Sequence, residues 1–150
     1  MNLLKQNALY AIVHCLALFA NQKYKDFSEW DKFNQTFQID LVRMATAHTY
    51  YISSMFAHNA INKMGIESDK QTIVHLKRML RIFCLNSLLK NASTLAVIHH
   101  LFQEHYATLQ VLQSKEIVAL RPQILNLIES FEYDKNILIS AIGSFDGYHV

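Results

Sequence analysis

The sequence predicts an all-α fold, an antiparallel helical bundle of about five to six helices, and three observations predict it. The chain of 150 residues has one proline, Pro122, and three glycines, two of them at its far end, so little interrupts a helix. Apolar residues recur at intervals of three and four along most of its length. No stretch alternates apolar and polar residues between turn signals, as a half-buried strand does. The length suits one domain, 1–150, with one core.

The elements follow in order. The first helix reads from about Leu3 to Ala20 and leaves through the polar stretch "NQKYKD". Its apolar run, Ala8 to Phe19 behind Lys5, imitates a secretory signal. His14 interrupts that run, and Leu18 stands where cleavage needs a small residue. A dozen residues span roughly 18 Å, short of a ~30 Å hydrocarbon core, so a packed helix is expected and no membrane span. Ser28 or Asp26 can cap the next helix. Its stripe of Trp30, Phe33, Phe37, Leu41, Met44, Ala45, His48, Ile52, Met55 and Phe56 is expected to run unbroken to a C-cap at Gly65.

Ser68 and Asp69 supply the following start signal. Ile73, Leu76, Leu80, Phe83 and Leu88 form a third apolar face that extends toward Leu95, with Lys77, Arg78, Arg81 and Lys90 mostly off it. A fourth helix is expected over Ala92 to Val111, and a further one from Ser114 toward Phe131, with Pro122 kinking it or near its first turn. A last short helix, about Asp134 to Ile142, stops at Gly143, where a left-handed cap suits glycine. "FDGY" then makes a tight turn at Gly147.

Composition excludes several classes. Fourteen Lys and Arg against twelve Asp and Glu give a net charge of +2 without a basic stripe, so no nucleic-acid partner is expected. Cys15 and Cys84 are too few for a disulfide framework and lie in no C-x-x-C motif. The three glycines build no phosphate cradle, and no G-x-S-x-G elbow exists. "HHLFQEH" brings His99, His100, Glu104 and His105 together, but not as two histidines four apart with a glutamate beside the first, so no metal site is expected. His48, among Ala45, Ala47 and Ile52, reads as a hydrogen-bonded core histidine. Glu129, Glu132 and Asp134 around Phe131 read as a solvated helix end rather than an acid–base pair. The residues alone therefore give a helical domain with no catalytic residue, and a hydrophobic fraction of 51% suggests surface meant for a partner.

The segment "LRPQILNLIESFEYDKNILISAIGSFDGYHV", Leu120 to Val150, resembles the C-terminal signature of the peroxisomal acyl-CoA oxidases. Arg121, Pro122, Leu127, Phe131, Leu138, Ser140, Ala141, Gly143, Asp146 and Gly147 match that pattern without a gap, and Glu129, Glu132, Ile142 and Phe145 are like-for-like replacements. Upstream, "LVRMATAHTYY" with Ala47 and His48, and "FCLNSLLKNAS", resemble two further helices of the family, so the likeness runs from about Leu41 to the end. The chain departs from the pattern at Ser93, Ile98, Ser144 and Tyr148-His149-Val150; serine at 144 replaces an arginine fork.

The resemblance implies a flavin enzyme that oxidises acyl-CoA to trans-2-enoyl-CoA in fatty-acid β-oxidation and passes the electrons to oxygen, giving hydrogen peroxide. It implies a C-terminal structural and dimerisation domain, with FAD held by the family's other domains and none by this chain alone. No residue of this chain can accordingly be assigned as the catalytic base or as a flavin ligand. The expected partner is the catalytic half or a second subunit in a homodimer. A peroxisomal location rests on the resemblance alone, because Tyr148-His149-Val150 is not a Ser-Lys-Leu type address. The alternative is a catalytically inactive, free-standing helical interaction module.

Overall fold

The computed structural model describes residues 1–64, 69–93 and 103–131, and among them every regular element is helical. Helix α1 spans Asn2–Ala20, a single 3-10 turn follows at Gln22–Tyr24, and α2 is one turn at Glu29–Asp31. A π turn at Lys32–Thr36 leads into α3, Gln38–Lys63. Helix α4 covers Lys70–Lys90, α5 Gln103–Leu120, and α6 Ile124–Glu129 after a 3-10 turn at Arg121–Gln123.

The long helices pack antiparallel in chain order. Cys15 meets Asp40 while Phe19 meets Phe37, so α1 descends as α3 rises. Ser54 meets Cys84 across α3 and α4. Arg78 reaches Ala119 and Arg81 reaches Glu116 across α4 and α5. The contact side of α1 is Leu4, Asn7, Ala8 and Cys15, and that of α3 is Ala47, Ser54 and Ile61, one heptad apart. Leu4, 1% exposed, and Leu88 form the centre of the core, with Leu3, Tyr51 and Cys84 packed around them.

Caps confirm two of the expected starts. The Ser28 hydroxyl accepts from the Asp31 N–H at 3.1 Å, which fixes α2. The Asp69 carboxylate accepts from the Thr72 N–H at 3.0 Å and opens α4. That bond, with a second from the Gln71 N–H, holds the Asp69 carboxyl below the usual carboxylate range.

Four expectations need correction. The stripe from Trp30 does not run unbroken, because the chain leaves the helix at Phe37 (φ −113°, ψ 7°). Phe37 is thereby buried against Phe19 and Tyr24, with ring centroids 5.1 and 5.0 Å apart, while Trp30 and Phe33 stay exposed. The aromatic cluster outweighs the helical continuation. Second, His48 is exposed and no core histidine. The buried position is Ala47, and one residue turns a helix by about 100°, enough to carry His48 out of the seam.

Third, α4 stops at Lys90 rather than near Leu95, because the Asn91 side chain donates to the Ser87 carbonyl at 2.7 Å and its N–H to the Leu88 carbonyl. Fourth, Ser114 opens no helix: α5 runs through it to Leu120, held to α4 by Arg78 and Arg81. Pro122 sits in the 3-10 turn just before α6, where its missing N–H costs no helical bond. Gly65, Gly143, Gly147 and the helix expected at 134–142 lie outside the described residues.

Helix α1 is also longer than its apolar run. An 18-residue window within its 19 residues has a mean hydropathy of 1.4, so the helix is long and apolar enough, by length and composition, to cross a membrane. A mostly buried core helix and a signal sequence near an N-terminus pass the same test; in α1 22% of that window is buried, Leu4, Ala8 and Cys15 among it, where the helix packs along α3. Substituting Leu4→Ala should lower unfolding free energy by about 2–4 kcal/mol in urea titrations. Val13→Ala on the outward face of α1 should change it by less than about 0.5 kcal/mol.

Candidate functional site

The antiparallel seam of α1 and α3 gathers polar side chains that are scattered in sequence. Asn7, Tyr10, Ala11 and His14 recur every three or four residues, so they share one side of α1. The start of α3 sets Asp40, Arg43 and Ala47 opposite them, and Asn91 and Ser93 close one edge of a cleft of about 280 Å³. His14 Nε2 lies 3.9 Å from Asp40 Oδ1, and Arg43 Nη1 lies 3.7 Å from the same oxygen. Both separations exceed an ordinary hydrogen bond, so the Arg43 fork keeps donors to spare. The Tyr10 and His14 rings lie nearly parallel, 6° apart in plane with centroids 6.0 Å apart. Asn7, 2% exposed, has a buried Oδ1 that accepts no hydrogen bond.

Beneath this cleft the Cys15 thiol donates to the Asp40 carbonyl at 3.4 Å. Burial pushes the thiol pKa up, and the Asp40 charge pushes it the same way, so Cys15 is a poor nucleophile.

A second hollow, about 560 Å³, is mainly apolar. Leu80, Leu85, Leu88 and Leu112 line it with Cys84, and His58, Asn62, Lys77, Arg81 and Glu116 bring polar groups to it. Glu116 is held by Arg81 at 3.1 Å and by Arg78 at 3.7 Å. Cys84 donates to the Ser54 hydroxyl at 3.5 Å, which itself donates to the Tyr50 carbonyl.

The residues weighed in the sequence as a metal site or an acid–base pair are only partly described. Glu104, His105 and Glu129 are exposed, while His99, His100, Glu132 and Asp134 lie outside the described residues. Among the described residues no three His, Cys, Asp or Glu side chains are placed to share a metal ion. The cleft of Asn7, His14, Asp40 and Arg43 escaped the sequence reading, in which His14 was only a break in an apolar run. The available signal was a second polar residue, Asn7, one heptad before His14 and so on the same side of the helix.

The described residues thus define an all-α bundle that offers a polar cleft, an apolar hollow and no assembled nucleophile–base pair. A family model described as acyl-CoA oxidase matches residues 1–149, and the chain belongs to the acyl-CoA oxidase family. No curated protein and no solved structure matches it at a significant level.

The family implies a flavin nucleotide for the full enzyme. One common cradle for a dinucleotide pyrophosphate is a glycine-rich approach to a free helix N-terminus. No glycine lies among the described residues, and the start of α4 is occupied by the Asp69 carboxylate, which repels an anion. With 5,5′-dithiobis(2-nitrobenzoate) at pH 8, Cys84 should react at least about tenfold faster than Cys15, as read by mass spectrometry of the labelled peptides.

Proposed function

We propose that residues 1–150 form a single helical domain serving as the C-terminal structural and dimerisation domain of an FAD-dependent acyl-CoA oxidase. In such an enzyme, acyl-CoA and oxygen become trans-2-enoyl-CoA and hydrogen peroxide in peroxisomal β-oxidation. The flavin and the catalytic base belong to the other half of that enzyme. This chain contributes surface: it packs on the catalytic half or on a second subunit and takes no part in proton or hydride transfer.

The observation that carries the reading is a set of exposed apolar side chains on α5 and α6 and just beyond. Val111, Ile117, Val118, Leu125, Ile128 and Phe131 are all exposed, with Leu125 at 68%, and Trp30 at 72% adds a large aromatic near the other end of the chain. Isolated apolar side chains on a surface need no explanation, but a set continuing along consecutive helices marks an interface. Fully burying one such side chain contributes about 1.5–3 kcal/mol. Several together are comparable with the roughly 4–15 kcal/mol that association costs in lost freedom.

Purified alone, the chain should show no flavin absorbance near 450 nm and no acyl-CoA-dependent peroxide. It should self-associate in sedimentation equilibrium. The double change Val118→Glu and Leu125→Glu should weaken that association by about tenfold or more, with helical circular dichroism retained. A stoichiometric flavin spectrum, or association indifferent to both changes, contradicts the proposal.

A further inference from the structure

The hollow among α3, α4 and α5 is polar at one end and apolar at the other, and the role proposed above does not use it. Lys77, Arg81, Cys84 and Leu88 recur every three or four residues, so they stand in one row on the side of α4 that lines the hollow. The neighbouring helices run antiparallel to α4 and keep the same order. On α3, Ser54 meets Cys84, which sets His58 and Asn62, one and two turns further on, at the Lys77 and Arg81 end. On α5, Glu116 meets Arg81, which sets Leu112, one turn earlier, toward Cys84 and Leu85. The polar end is cationic. Glu116 is already held by Arg81 at 3.1 Å and by Arg78 at 3.7 Å, while Lys77 is exposed and has no ion pair among the described residues. Arg81 uses one Nη1 donor on Glu116 and keeps others in its fork. A singly charged anion is favoured over a doubly charged one, because Glu116 lines the same end and repels added negative charge.

We propose that this hollow binds an apolar molecule ending in one carboxylate, with the head at Lys77 and Arg81 and the body along Cys84, Leu85 and Leu112. Its volume of about 560 Å³ falls in the range of roughly 300–1,000 Å³ typical of small-molecule sites, which favour the space between helices of a bundle. The walls are open to such a ligand: Lys77 and Arg81 are exposed, Leu112 is 45% exposed, and Cys84 is half-buried. Covering the apolar end supplies affinity, and the charge-assisted contacts at the other end fix the orientation.

The test follows alkylation of Cys84 by iodoacetamide, read by mass spectrometry of the labelled peptides, in the full chain titrated with octanoate, octanol or octylammonium. Octanoate should slow Cys84 saturably, by about fivefold or more, and leave Cys15 unchanged. Octanol and octylammonium should need at least about fivefold higher concentrations for half the effect. Lys77→Ala, at an exposed position, should raise the octanoate concentration for half-protection by about fivefold or more with helical circular dichroism retained. Leu112→Glu, which puts a carboxylate at the apolar end, should abolish protection where its dichroism shows a folded chain. Octanol as effective as octanoate, half-protection unchanged in Lys77→Ala, or no protection by octanoate overturns the proposal. Protection of Cys84 that rises with chain concentration in the absence of octanoate assigns the hollow to a second copy of the chain and overturns it as well.

Discussion

The close antiparallel packing of α1 along α3 is the constraint on which the rest of the structure depends. Small residues, Ala8 and Cys15 on α1 and Ala47 on α3, are buried along this seam, which suits a close approach of the two helices. That approach has two consequences. It puts Leu4 over the end of α4, where it meets Leu88 and closes the core. It also sets His14 and Arg43 on either side of Asp40 and encloses Asn7, which makes the polar cleft a product of helix packing rather than of a loop.

The polar atoms inside the bundle are handled in two ways. Ser54 and Ser87 are buried, and each hydroxyl donates to the carbonyl one turn back, Tyr50 and Phe83 respectively, so the helix satisfies them without outside help. Asn7 has no such recourse for its Oδ1, because a carbonyl oxygen needs a donor and every N–H of the helix interior is already committed. Burying large side chains takes second place to this polar seam, and much apolar area remains outside on α5 and α6.

Much of this was legible in the sequence, and the rest was hidden for physical reasons. Scarce glycine and proline gave the helical class, Ser28 and Asp69 gave true helix starts, and the string around Arg121 and Pro122 led to the family that the whole-chain match supports. The stripe along α3 was read one ridge away from the buried one. Leu41, Met44, Ile52 and Met55 are half-buried as expected, but Ala45, His48 and Phe56 face out, and the seam itself is Ala47, Ser54 and Ile61. A period of three and four cannot tell adjacent ridges apart when small or polar residues occupy the closest contact. The break at Phe37 and the continuation of α5 through Ser114 depend on partners twenty to forty residues away, namely Phe19 for the first and Arg78 and Arg81 for the second. Local pattern holds no record of either.

The central claim, that the outer side of α5 and α6 exists to be covered by protein, is tested most directly by amide hydrogen exchange at two concentrations. Between about 0.5 and 100 µM chain, a span over which interfaces of moderate affinity fill, amides of Gln103–Leu120 should slow markedly while those of α1 change little. Exchange in α5 that is identical at both concentrations would contradict it.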